Sequence, residues 1–334
     1  MFFVLLPRTI MWFLFLLCLF SQCFASVSLE PARNRMVKQL VQEVHKKHHI
    51  PTSWLDKQFK GLALNESSLS LMQRPFEAKP WYQYRQLLVS PKRVQNGTKF
   101  MHTNQTVLQD YEKRYHIPAS IVTAIIGIET SYGENMGDFI TLEALSTLAF
   151  YYTPRADYFR SEAIELLRYA YDHKIATSTI KGSYAGAIGI PQFMPSNIEL
   201  YGRHHGKDGQ LDLVHDHNDA IASVFNYLAK MGHWASHKPI MKKLELNPKQ
   251  KDTLNNAIGN QRMLAVTKPL AQQFNLRPTD TSWIIRLESQ PNEYDFYRVF
   301  GNFKSIMRYN NSVHYSAAVA QLAQQLANSK STTS

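Results

Sequence analysis

Apolar residues recur at helical spacing along most of the chain, and the faces they form predict its elements in turn. From Pro31 to about Leu64, Met36, Leu40 and Val44 share one face with Lys, Glu and His residues opposite, which predicts a helical hairpin. Aromatic residues then cluster at Pro80-Trp81-Tyr82-Gln83-Tyr84, and the stretch from Val94 to about His116 predicts one long, polar-faced helix. Pro118 suits the first turn of the next helix, an apolar run that ends at Glu129. Further helices are predicted from Leu142 to Phe150, from Asp157 to Tyr171 and from Asn218 to Met231, with a glycine-rich break before the last of these. Later the period shortens to alternation. Trp283, Ile285 and Leu287 alternate with Ile284, Arg286 and Glu288, and Gln290-Pro291-Asn292 leads into Glu293 to Phe300, which predicts a β-hairpin. Arg262 to Val266 adds a strand, and Tyr315, Val319, Leu322 and Leu326 return the chain to helix. The fold class is α+β, mainly α, with a small antiparallel β subdomain inserted late.

The amino-terminal end stands apart from this pattern. Residues 1–25 carry one cation, Arg8, then an apolar run from Ile10 to Phe20 and small residues at Cys23 and Ala25. A cleavable secretory signal is expected, because the apolar run is short for a membrane span. Phe20-Ser21-Gln22 before Cys23 is bulky and polar for a lipid-attachment site, so a soluble exported product is favoured over a lipid-anchored one. Both cysteines, Cys18 and Cys23, fall inside the segment, so disulfide and thiol chemistry are excluded from the rest of the chain. The formal charge of +11 falls to +10 without Arg8. That surplus favours anionic partners such as a membrane surface or an acidic cell-wall polymer. Nucleic acid is the least natural of these for an exported chain that carries no nucleic-acid-binding motif. At 44% hydrophobic and 12% aromatic the composition is that of an ordered globular protein.

Candidate chemistry centres on Glu129. Val122, Ile126 and Glu129 follow the spacing of one helical face, so the carboxyl shares the core-facing stripe just before the polar turn Thr130-Ser131-Tyr132-Gly133. Partial desolvation there disfavours the charged form and suits a general acid. A paired or capped structural glutamate is the competing reading. Three other segments can form a cleft with it: Pro154-Arg155-Ala156-Asp157-Tyr158-Phe159; Gly182 to Ser196, with glycines at 182, 186 and 189 and the polar side chains of Ser183 and Gln192; and Arg308-Tyr309-Asn310-Asn311-Ser312 beside Tyr315. Rings together with amides and hydroxyls suit a sugar chain, which offers C–H faces to stack and hydroxyls to bind.

The runs Ala124-Ile125-Ile126-Gly127-Ile128-Glu129-Thr130, Gly182 to Gly189 with Gln192-Phe193-Met194-Pro195-Ser196, Asp219-Ala220-Ile221 with Asn226-Tyr227, and Arg308-Tyr309-Asn310 resemble the lytic murein transglycosylase B family, collinearly from about Trp81 to Leu326. The resemblance implies a lysozyme-like catalytic core with a flanking helical domain and a small antiparallel β subdomain. Its boundaries would be 1–25 for the signal peptide, 26–80 for an N-terminal helical domain, 81–238 for the catalytic core, 239–303 for the β-containing subdomain, and 304–334 for a C-terminal helix packing back on the helical domain and cleft. It also implies cleavage of peptidoglycan between N-acetylmuramic acid and N-acetylglucosamine without water, with Glu129 as the single acid and base and no required cofactor. Ser183 and Gln192 fall on positions that hold substrate near the acid. Tyr84, Tyr158, Tyr227, Tyr309, Asn310 and Tyr315 match cleft positions, and Arg155 carries over as one cation where the family often has two. A hydrolase would ordinarily need a second carboxylate, for which Glu134, Asp138 and Glu143 are near in sequence. Some members carry an EF-hand-like calcium loop. Here Asp208, Gly209 and Asp212, with Asp219 beyond them, survive, but His204 and Gly206 stand where oxygen ligands belong, so the loop reads as a degenerate calcium site. The partners implied are peptidoglycan glycan strands and other cell-wall enzymes, for a monomer in the periplasm of a Gram-negative bacterium.

Overall fold

The computed structural model describes residues 32–73, 79–207, 209–277 and 281–331. The expected signal segment and Asp208 lie outside them. Among the described residues no helix is long and apolar enough to cross a membrane.

Helices α1 (32–48) and α2 (Thr52–Phe59) form the predicted hairpin, and α3 (Glu66–Met72) follows, its N-cap Asn65 accepting from the Ser68 N–H. Leu40, Val41, Val44, Leu55 and Phe59 from the hairpin share one core with Leu142, Leu145 and Leu148 and with Phe159, Ile164 and Leu167.

The larger core is built around α4 (Trp81–Leu88), α5 (Pro91–Thr103), α6 (Gln105–Tyr115) and α7 (Ala119–Thr130). Helix α4 lies in the aromatic cluster that the apolar pattern leaves unassigned. The single helix expected over Val94 to His116 is two. Asn104 ends α5, its side-chain amide and its backbone N–H both donating to the Phe100 carbonyl, so a local bond competes with continued helix. Pro118 precedes α7 at φ −58° and ψ 132°, one residue before the helical turn in which it was expected. Helix α7 is buried on every side from Ala119 to Gly127, so its core contact is wider than the single stripe read from sequence.

After α7 the chain forms the short strand β1 (Phe139–Ile140), α8 (Thr141–Tyr151), α9 (Ala156–Asp172) and β2 (Lys181–Gly182). Strands β1 and β2 pair antiparallel, Phe139 opposite Gly182, which lays the glycine-rich segment beside the turn that follows α7. Helices α10 (Pro195–Tyr201) and α11 (His217–Lys230) complete this half.

The late subdomain consists of β3 (Met241–Lys243), α12 (Pro248–Ile258), β4 (Leu264–Ala265), α13 (Lys268–Gln273), β5 (Trp283–Gln290) and β6 (Glu293–Val299), with antiparallel strands in the order β3-β6-β5-β4. Both faces of its hairpin are covered. Ile285, Leu287, Tyr297 and Val299 join the larger core, whereas Ile284 and Phe296 pack with Leu254, Ile258 and Phe274 in a small core of their own. Helix α14 (Gly301–Met307) leads to α15 (Val313–Ser331), which packs chiefly along α7 and α5.

Candidate active site

Glu129 occupies the last turn of α7, half-buried where the helix stops. The stop is a strained turn. Ser131 (φ 53°) and Tyr132 (φ 67°) are consecutive non-glycine residues in the left-handed region, a conformation that persists only where the surroundings enforce it. Thr130 supplies part of that enforcement, its hydroxyl donating to the Ile190 carbonyl at 2.9 Å and accepting from the Gly133 N–H at 3.0 Å. Tyr132 supplies the rest by inserting its ring between α5 and α7, where its phenol donates to the Arg93 carbonyl at 2.8 Å. The guanidinium of Arg93 turns back to the Gly127 carbonyl, a favourable place for a cation at a helix C-terminus. Arg93, Thr130 and Tyr132 are the functional supports that motif reading misses. They act through the turn, and the only signal of them in the sequence is an aromatic ring, Tyr132, in an otherwise polar turn.

The carboxyl is oriented by a residue 186 positions away. Tyr315, buried on α15, donates its phenol O–H to Glu129 Oε1 at 2.6 Å. Burial and the neighbouring Glu129 charge push the Tyr315 phenol well above its usual range, so it remains a donor throughout the working pH range. Tyr309 is raised for the same two reasons, and it donates to the Pro191 carbonyl at 2.5 Å, fastening the α14–α15 turn to the glycine-rich segment.

That segment is equally constrained. The Ser183 N–H donates to the Ala187 carbonyl at 2.8 Å, and the Ser183 hydroxyl accepts the Ala187 N–H at 3.1 Å. Gly137 and Gly182 cross so closely that a Cβ on Gly137 would collide with the Gly182 carbonyl. Gln192, at φ 51°, donates its amide N–H groups to Met136 O at 3.1 Å and Gly189 O at 2.9 Å, which leaves its amide oxygen as an acceptor.

The other candidate residues divide into platform and core. Arg155 is exposed and lies 4.2 Å over the Tyr158 ring. Tyr227 is buried and donates to the Arg308 carbonyl at 2.6 Å, edge-on to Tyr309. Desolvation, then Tyr201 and Tyr158, push its phenol up to about 12. Tyr84 is buried as well, stacked on Trp81 and packed against His314. Both rings are buried, as is that of Tyr315. Asn310 lies in the α14–α15 turn between Tyr309 and Tyr315.

Among the other acids, Glu143 accepts from the Ala63 N–H, and Glu134 and Asp138 are exposed beyond the turn. Glu162 is buried, and desolvation raises its pKa. It accepts from the backbone N–H and hydroxyl of Ser196, which secures the start of α10. A cavity of about 880 Å³ lined by Val94, Met101, Leu108 and Leu326 does not include Glu129.

The chain matches the Transglycosylase SLT domain over residues 32–324. It is 32% identical over 308 residues to membrane-bound lytic murein transglycosylase B of Escherichia coli strain K12, a match that covers 89% of this chain and 84% of that protein. The chain belongs to the lytic murein transglycosylase B family.

Two solved structures agree with it in fold. The soluble lytic transglycosylase SltB1 of Pseudomonas aeruginosa is 33% identical with a TM-score of 0.79, over 88% of this chain and 99% of that one. The E. coli lytic transglycosylase Slt35 in complex with calcium is 30% identical with a TM-score of 0.78, over 89% of this chain and 94% of that one. This lysozyme-like, mainly helical transglycosylase is therefore an enzyme of the murein-cleaving class.

Among the described residues of the loop, the donor set does not fit calcium. Asp219 is fully buried and accepts the His205 N–H at 2.7 Å, the Asp212 N–H at 2.8 Å and His204 Nδ1 at 3.2 Å. Asp212 accepts the Val214 and His215 N–H groups and His215 Nδ1. His204 Nε2 accepts the Gly209 N–H at 3.3 Å, so an imidazole bridges the loop. Among the described residues no group of three or more acidic, histidine or cysteine side chains could hold a metal.

Proposed function

We propose that this transglycosylase cleaves the β-1,4 bond between N-acetylmuramic acid and N-acetylglucosamine without water, using Glu129 alone as acid and then base. The Tyr315 bond to Oε1 assigns the acidic proton to the other carboxyl oxygen. That proton passes to the departing glycosidic oxygen as the C1–O bond breaks. The resulting carboxylate then takes the proton of the muramoyl C6 hydroxyl, whose oxygen bonds to C1 and closes a 1,6-anhydro ring. Ser183 and Gln192 hold the sugars at the glycine-rich wall, and Arg155 with Tyr158 forms an exposed platform beside them.

The observation that carries the reading is the half-buried Glu129 carboxyl, gripped by a buried phenol at the junction of α7, the Gly182 segment and α15. The enzyme acts on glycan strands after export to the periplasm.

Incubating the purified protein with murein sacculi and weighing the products tests the proposal. Anhydromuropeptides are expected; hydrated ends would make it a hydrolase, and no release would make it a glycan-binding scaffold. Glu129→Gln is expected to abolish release while sacculus binding persists, and retained cleavage by that variant would reject the assignment.

A further inference from the structure

Between the β subdomain and the α14–α15 turn lies a second cavity, of about 500 Å³, walled by Gln261, Arg262, Arg286, Asn310, Asn311 and Ser312. Its turn wall is the stretch that joins Tyr309 to Tyr315, so it adjoins the Glu129 cleft through a few residues of backbone.

Two guanidiniums reach this cavity from different parts of the subdomain. Arg262 is exposed and donates from Nη2 to the Asn311 carbonyl at 2.6 Å and to Asn311 Oδ1 at 3.4 Å. No described residue takes the N–H groups of its Nε and Nη1. Arg286 is half-buried, with Nη2 donating to the Gly259 carbonyl at 2.9 Å, Nη1 donating to Asn255, and its charge 5.3 Å from the Tyr294 ring centroid. All these partners are neutral. Among the described residues neither arginine has a carboxylate within ion-pair distance, although the fork of a guanidinium matches a carboxylate in two parallel bonds. Amides on the same walls add donors and acceptors of the kind a peptide backbone needs.

Resting on the reading of the neighbouring cleft, we propose that this cavity binds a carboxylate of the peptide stem carried by the glycan. The sugar rings of murein are uncharged, and its anionic groups sit on the peptides. The α14–α15 turn is shared by this cavity and the Glu129 cleft, so a stem on a muramic acid held in the cleft would need to cross only that turn for its carboxylate to supply the counter-charge that the fold leaves to a ligand.

The test compares binding of the whole protein and of Arg262→Gln to three soluble glycan fragments of equal length: one bearing intact stems, one with the stem carboxylates amidated, and one stripped of peptide. Arg262 is exposed and its substitution leaves the core untouched, while Arg262→Lys keeps the charge and loses the fork. Intact stems are expected to bind about 10-fold more tightly than either altered fragment, as one charge-assisted pair warrants. Arg262→Gln is expected to remove that preference without weakening binding of the stripped fragment, and Arg262→Lys to retain part of it. Equal affinity of the unaltered protein for all three fragments would overturn the inference, as would an Arg262→Gln loss shared by the stripped fragment. Product analysis on the same samples judges the cleavage reading separately, because absent anhydro ends reject that reading whichever way the affinities fall.

Discussion

Replacing Tyr315 by Phe removes one oxygen atom from the protein and leaves the ring in its buried slot. The lost group is the O–H that donates to Glu129 Oε1 at 2.6 Å, a bond that becomes charge-assisted once the acid has given up its proton. Such bonds contribute about 1.5–3 kcal/mol net. If the whole of that serves to hold the carboxyl for proton transfer, turnover falls about 10- to 150-fold. KM should change little, because the Tyr315 ring is buried and its slot is unchanged in Phe. Tyr227→Phe is the matched control. Its phenol donates to the Arg308 carbonyl, so its loss should cost about 1–2 kcal/mol of stability with a smaller effect on kcat. Initial rates of anhydromuropeptide release from sacculi, with melting temperatures of both variants, measure the two effects. A Tyr315→Phe enzyme that turns over within twofold of the parent would refute the claim that this phenol orients the acid.

Other substitutions and conditions separate the supports of the site. Gly127→Ala places a Cβ 2.6 Å from Tyr132 Cζ, so it should displace the ring and cost about 1–3 kcal/mol; an unchanged melting temperature would deny Tyr132 its place in the turn. Calcium should not raise the melting temperature and a chelator should not lower it, whereas His204→Ala should lower it by breaking the bridge from Gly209 to Asp219; a calcium-dependent rise would restore the loop as a metal site. With a formal charge of +11, binding to sacculi should weaken as salt rises from low to physiological strength, and salt-insensitive retention would show that charge plays no part in recruitment.

How legible these features were in the sequence depends on how local their causes are. The helix to Glu129, the alternation in Trp283–Glu288 and the stripe from Tyr315 to Leu326 are repeated patterns, and each formed as read. The break at Asn104 rests on a single side chain bonding back to Phe100, and averaging over a long apolar period hides it. Helices α12 and α13 were missed for a related reason. They are short, and they exist to cover the Ile284 and Phe296 face, a need visible only when the sheet is assembled. Within the site, residue types announced Glu129, Ser183 and Gln192. The sequence could not announce that Tyr227 and Tyr84 are buried, because a tyrosine serves as well in a core as on a cleft. Nor could it reveal that Asp212 and Asp219 are occupied by backbone N–H groups, since that depends on how the loop closes.

The distance along the chain between Glu129 and the phenol that grips it also bears on timing. A nascent polypeptide reaches its glutamate long before it has made Tyr315, and until α15 docks the carboxyl lacks the phenol that grips it. A copy cut short before that residue would keep its glutamate and lose the clamp.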